Sequence, residues 1–241
     1  MPPLPVSSVV PGGVATGLRA QATLAPTALQ ANSAARTARI ERLRAQPRKP
    51  HEASFFFYDA FFKADAVKVL PGEYFVHDED VIIMTTLGSC IAACLWDRVA
   101  CIGGMNHFML PDVGAGMTDG GRYGSYAMEL LINELMKRGA SRANLEAKVF
   151  GGAAVISGMN SINVGERNTS FVFEYLRTER IPVVSKDVLE VYPRKVCFFP
   201  ASGKAMVKRL APTQIDLVAA QDRDAVQRAR SDSRAGSVDL F

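Results

Sequence analysis

Histidine is scarce in this chain: there are three, His51, His77 and His107, and no HExxH or paired-histidine spacing joins any two of them. A metal centre built by the protein has little material, so no metal is expected. Cysteine is as sparse. Cys90, Cys94, Cys101 and Cys197 form no CxxC pair and lack the dense spacing of a secreted disulfide scaffold, which reads as free thiols in a reducing compartment, the cytoplasm. No apolar run approaches the roughly 18 residues of a membrane span, and no membrane insertion is expected. No GxGxxG or Walker loop is present, and Gly103-Gly104 and Gly151-Gly152 are too short and wrongly placed to cradle a phosphate. An excess of one charge is also missing. Lys and Arg number 28 against 24 Asp and Glu, a net +4, and no interleaved aromatic and basic residues mark a nucleic-acid platform. Mild basicity suits an acidic protein partner as well.

What is present divides into three stretches. Residues 1–50 are rich in Ala, Pro, Ser, Thr and Arg, hold no carboxylate before Glu41, and close on the basic run from Arg42 to Lys49. They are expected to be a disordered extension. Scattered prolines argue against a transit peptide, and the continuous apolar core of a secretory signal is lacking. Residues 51–210 can bury one substantial core. An aromatic cluster from Phe55 to Phe62 reads as packing, and strands are expected at Tyr74–Val76, Val81–Thr85, Ile91–Trp96, Ile102–Leu110, Leu145–Phe150 and Ile181–Ser185. A glycine-rich loop from Pro111 to Gly121 precedes a helix striped by Ala127, Leu130, Leu131 and Leu135, and a second helix is expected over Asn168–Thr178. Arg194–Phe199 and Ala205–Leu210 read as a hairpin. Residues 211–241 turn polar and form a tail with a loose helix near Asp222–Arg230. The absence of a regular βαβ cadence favours an α+β, layered arrangement of helices on sheets.

The chemistry concentrates at Leu87-Gly88-Ser89-Cys90 and Asn106-His107-Phe108-Met109-Leu110-Pro111. A cysteine after two small residues can sit on a tight turn, with a nearby histidine to take its proton and later protonate a leaving group. The backbone N–H groups of Ser89 and Cys90 are the natural oxyanion donors. Set against this, most free cysteines are small buried hydrophobes, and a histidine between Asn106 and Phe108 can be a satisfied core residue. Cys94, Cys101 and Cys197 lack the Gly-Ser lead-in and read as core, and His77 reads as part of a solvated turn. Thr85 or Thr86 could fix the imidazole tautomer, and strand alternation lets only one of them face Cys90.

These segments, with Gly72-Glu73-Tyr74, Tyr123-Gly124, Ala147 to Ala153 and Asn163 to Asn168, resemble the chemoreceptor glutamine deamidase family, CheD, over roughly Ala66 to Leu210. The resemblance implies a cysteine hydrolase, protein-glutamine glutaminase, that converts glutamine side chains of methyl-accepting chemotaxis receptors to glutamate without a cofactor, receptor methyl-ester hydrolysis being associated with it. It implies a helix/sheet/sheet sandwich similar to that of deamidating toxins. It matches Cys90 to the nucleophile, His107 to the base and acid, and favours Thr85 as the third residue. It also implies a CheC-type phosphatase as a second partner, and a non-enzymatic receptor- or phosphatase-binding module as the alternative function. One departure lies after Asp187, where family members carry paired glycines before a basic pair and this chain keeps only the basic pair, Arg194-Lys195.

Overall fold

The computed structural model describes residues 38–79, 81–110, 118–155 and 164–211, together with Gln214, Leu217, Val218, Ala220, Asp222, Asp224 and Gln227. Two five-stranded sheets stack face to face. One has β1 (Phe55–Asp59), β2 (Ala64–Lys68), β4 (Val81–Leu87), β9 (Arg194–Phe199) and β10 (Lys204–Arg209) in that order. The other runs β3 (Tyr74–His77), β6 (Ile102–Asn106), β5 (Ile91–Asp97), β7 (Leu145–Gly151), β8 (Val183–Val188). Each sheet is mixed, with β2–β4 and β7–β8 parallel and the other pairs antiparallel.

Helices α2 (Thr118–Lys137) and α3 (Val164–Thr178) cover the second sheet. Their burial follows from helical spacing: Met128, Leu131, Ile132 and Leu135 recur at i, i+3, i+4 and i+7 and form a single buried stripe. Strand β5 shows why the protein has layers. Ile91, Ala93 and Leu95 join the core beneath the helices, while Ala92 and Cys94 join the core between the sheets with Val67, Ile83, Val196 and Phe198. A strand buried on both faces must be apolar at every position, as Ile91-Ala92-Ala93-Cys94-Leu95 is. The result is α+β, in the order helices, sheet, sheet.

Several expectations need correction. Helix α2 begins at Thr118, so Gly120 and Gly121 are helical and the expected Pro111–Gly121 loop is shorter; residues 111–117 lie outside the described residues. Helix α3 starts at Val164, four residues before the expected Asn168. His77 is buried at the end of β3 rather than solvated, because it pairs with Gly103, and its ring stacks on Phe75 at 5.8 Å. Cys101 is exposed in a left-handed turn conformation, φ 56°, whereas Cys94 and Cys197 are buried. In the aromatic cluster Phe56 is buried but Phe61 is 84% exposed. Order begins before residue 51: residues 38–45 form helix α1, Leu43 is buried in the inter-sheet core, and Arg39 pairs with the buried Asp65 at 2.6 Å. Among the described residues, no helix is long and apolar enough to cross a membrane.

The segment after Asp187 has an unusual backbone. Leu189 and Glu190 both adopt φ of 64°, a conformation in which glycine carries no steric penalty and these residues do. The fully buried Arg194 holds the turn in place, its guanidinium bonding Asp187 at 2.6 Å and the carbonyls of Leu189, Tyr192 and Gly151.

Candidate functional site

Strand β4 belongs to one sheet and β5 to the other, so the chain must turn across the layers at Gly88-Ser89-Cys90. The turn is tight. A side chain at Gly88 would press on Val155 and Val218, at 2.7 and 2.9 Å from its Cβ. The carbonyls of the bend are all engaged: Gly88 O accepts from Ala153 N, Cys90 O from Gly152 N and Ser89 O from the Asn168 side chain, each at 2.8 Å. Gly151 makes the approach possible, because its φ of 112° and lack of Cβ let the β7 end lie against the Cys90 carbonyl.

His107 reaches the same place from the other side of a single β-bridge. Ile91 and Phe108 exchange two N–H···O bonds of 2.9 Å. Ile91 and Phe108 face the helices, so the residues flanking them, Cys90 and His107, share the opposite face as diagonal neighbours. The Asn168 carboxamide ties this arrangement together by accepting the Leu110 N–H at 3.0 Å while donating to Ser89 O.

Strand alternation separates the two threonines. Val81, Ile83 and Leu87 point between the sheets and Ile82 and Met84 point outward, so Thr85 faces inward and Thr86 away. Thr85 Oγ1 donates to the Val69 carbonyl at 2.8 Å and lies 2.8 Å from His107 Nδ1. A hydroxyl has one proton to give, so with that proton on Val69 the oxygen accepts from Nδ1–H. The imidazole is thereby assigned as the Nδ1–H tautomer, leaving Nε2 bare. That Nε2 is buried and has no hydrogen-bond partner among the described residues. Burial holds the His107 pKa down to about 4, so the ring is a neutral base.

The donor side of the site is occupied. Asp222 Oδ2 accepts from the Ser89 backbone N–H at 2.6 Å and from Ser89 Oγ at 2.8 Å, and Oδ1 accepts from Cys90 Sγ at 3.3 Å. Burial, and next the Asp222 carboxylate, push the Cys90 thiol well above its ordinary value, and burial also raises Asp222. Of the two amides expected from sequence as oxyanion donors, that of Ser89 donates to Asp222 Oδ2.

The structure therefore brings Cys90, Ser89, His107 and Thr85 together. Asn168 and Asp222 were not singled out from sequence. Asn168 had a signal, a polar residue on the buried stripe of α3 with Gly165, Val172 and Leu176; Asp222, more than 130 positions from Cys90, had none. Among the described residues no three His, Cys, Asp or Glu side chains are arranged to hold a metal ion.

A family profile described as "CheD chemotactic sensory transduction" matches residues 109–209. The chain is 58% identical over 233 residues to the "Probable chemoreceptor glutamine deamidase CheD 1" of Albidiferax ferrireducens, covering 95% of this chain and 97% of that one. It is 51% identical over 198 residues to the "Probable chemoreceptor glutamine deamidase CheD" of a Janthinobacterium species, 80% of this chain and 97% of the relative. The relative of that name from Methylobacillus flagellatus is 46% identical over 202 residues, 82% of this chain and all of its own length. A solved structure, the Bacillus licheniformis hypothetical protein YfiH, overlaps 49% of each chain at a TM-score of 0.30 and 12% identity, too distant to bear on the fold.

Proposed function

The chain belongs to the CheD family, and from that premise we propose that it is a cysteine hydrolase that deamidates glutamine side chains of chemotaxis receptors. The observation that carries the reading is the Ser89 amide and Cys90 sulfur converging on one carboxylate, with His107 Nε2 left bare on the same face. A hydrolase acting on a carboxamide needs these three things: a nucleophile, an oxyanion donor and a base.

When a receptor glutamine replaces the carboxylate, His107 Nε2 takes the thiol proton and Cys90 Sγ attacks the carboxamide carbon. The carbonyl oxygen becomes an oxyanion held by the Ser89 N–H. The carbon–nitrogen bond then breaks as His107 returns its proton to the departing nitrogen, releasing ammonia and leaving a thioester. Water, deprotonated by His107, attacks the thioester carbon; the carbon–sulfur bond breaks and the sulfur recovers its proton. One water is consumed and glutamate is formed. Thr85 acts as a positioning residue that keeps the Nδ1–H tautomer throughout. A methyl ester would follow the same course with methanol leaving.

The helices/sheet/sheet order supports likeness to the fold of deamidating toxins. The resemblance supports a CheC-type phosphatase as a further partner, and the free thiols support a cytoplasmic site of action.

The test is to incubate receptor cytoplasmic fragments with the native protein and with Cys90→Ala, and to follow by mass spectrometry the gain of about one dalton per glutamine converted that thiol hydrolysis requires. A gain with the native protein alone is expected. Equal gain with Cys90→Ala would remove the mechanism, and receptor binding without any gain would favour the binding-module alternative.

A further inference from the structure

We propose that the C-terminal segment of this chain is a plug that holds its own thiol site closed by seating a product-like carboxylate in it. The inference deepens, and rests on, the reading of Cys90 as the nucleophile.

Hydrolysis of a glutamine side chain ends in a carboxylate beside the sulfur, one oxygen still at the oxyanion donor. Asp222 has that disposition. Its Oδ2 receives the Ser89 N–H at 2.6 Å and the Ser89 hydroxyl at 2.8 Å, while its Oδ1 receives the thiol of Cys90 at 3.3 Å. Ser89 N cannot serve an incoming carbonyl oxygen while Asp222 holds it, so substrate and plug are mutually exclusive. The contact also keeps the proton on sulfur, because a thiolate facing a buried carboxylate would be repelled.

The segment is seated by more than the carboxylate. The described residues Leu217, Val218, Ala220, Asp222, Asp224 and Gln227 are helical. Val218 lies one turn before Asp222 on the same helical face, and both are only 3% exposed, whereas Leu217, Asp224 and Gln227 are exposed. Val218 packs over Gly88, where a side chain would collide with it. A buried apolar anchor and a buried acid four residues apart form a two-point seat on the bend that carries the nucleophile. Tethering supplies the local concentration, so so small a contact can occupy the site and still be displaced by a partner.

The test uses the full-length protein and Cys90 alkylation by iodoacetamide, read by peptide mapping, in the native chain, Asp222→Ala and Val218→Asp. The exposed Cys101 is the internal rate standard, and the buried Cys94 reports an intact fold by staying unlabelled. Both substitutions are expected to speed Cys90 alkylation about tenfold or more, as thiolate fraction and access rise, with Cys101 unchanged. An unchanged Cys90 rate in Asp222→Ala overturns the plug. Deamidation of a receptor fragment, measured in parallel, separates the two proposals. Faster alkylation with no deamidation by any form keeps the plug and removes the deamidase reading. Deamidation that Asp222→Ala loses would place Asp222 in the reaction and overturn the plug.

Discussion

Thr85 Oγ1 stands 2.8 Å from Nδ1 of His107, and its own proton is committed to the Val69 carbonyl, so the threonine oxygen accepts from Nδ1–H. Thr85 in β4 and the Val69 carbonyl just past β2, neighbours in one sheet, thus decide which nitrogen of the histidine is bare.

Removing that acceptor while keeping the shape should cost catalysis and leave binding alone. Thr85→Val is expected to lower kcat for receptor deamidation by about 10- to 100-fold, within the range a misplaced general base loses, with KM little changed. Thr85→Ser restores the hydroxyl and should recover most of the loss. Thr86→Val, on the outward face, should be near native. Steady-state kinetics on the four proteins checks the split, and equal losses at the two threonines would contradict the assignment.

Burial of neutral His107, with its pKa near 4, makes stability depend on pH in a definite direction. The unfolded chain binds a proton near 6.5 and the folded chain does not until about 4, so stability falls as pH drops between those values and levels off below them. The contribution is about 3 kcal/mol. His77, also lowered by burial, adds the same sign. Urea unfolding from pH 7 to 4 should therefore show a steeper fall for the native protein than for His107→Gln. Parallel curves would mean that His107 is not buried neutral.

The turn after Asp187 stores strain that glycine would release. Leu189→Gly and Glu190→Gly should each raise stability by about 1 kcal/mol, since both residues sit at φ 64°. A drop in the urea midpoint for both variants would show that their side chains contribute more than the backbone costs.

Arg194 is the clamp on that turn and cannot be replaced by a point charge. Arg194→Lys should lose about 3 kcal/mol, because one ammonium cannot match a guanidinium that bonds Asp187 and three carbonyls from a fully buried position. The neighbouring Lys195, half-buried in β9, should tolerate Ala with little effect. Unfolding midpoints for the two variants test the contrast.

Much of this protein is local and was legible as such. The strands of β4, β5, β7 and β9 fall where apolar β-formers are bounded by turn residues, and α2 follows its leucine stripe, because these preferences act within a few residues. Cys90 and His107 stood out for the same reason: a Gly-Ser lead-in and a His-x-Met-Leu-Pro run lie within short segments. Helix starts were less legible. Gly120 and Gly121 read as loop, yet they are helical at the start of α2, and packing of α2 against the sheet overrides that weak propensity. His77 read as solvated because its acidic neighbours are polar, yet it is buried at the end of β3, paired with Gly103 and stacked on Phe75.

By itself the amino-acid sequence determined β3 to β10 and helices α2 and α3, though not α1, β1 or β2, and it marked which thiol follows a Gly-Ser pair and which histidine lies near it in the chain. Only the tertiary structure decided that Thr85 and not Thr86 meets the imidazole, that Asn168 ties the Cys90 bend to the chain after His107, and that Asp222 bonds Ser89 and Cys90. The physical reason is range. Propensity and turn chemistry act along a few residues of backbone, whereas a hydrogen bond between Ser89 and Asp222 exists only once two sheets and a distant helix have packed and excluded water from the space between them.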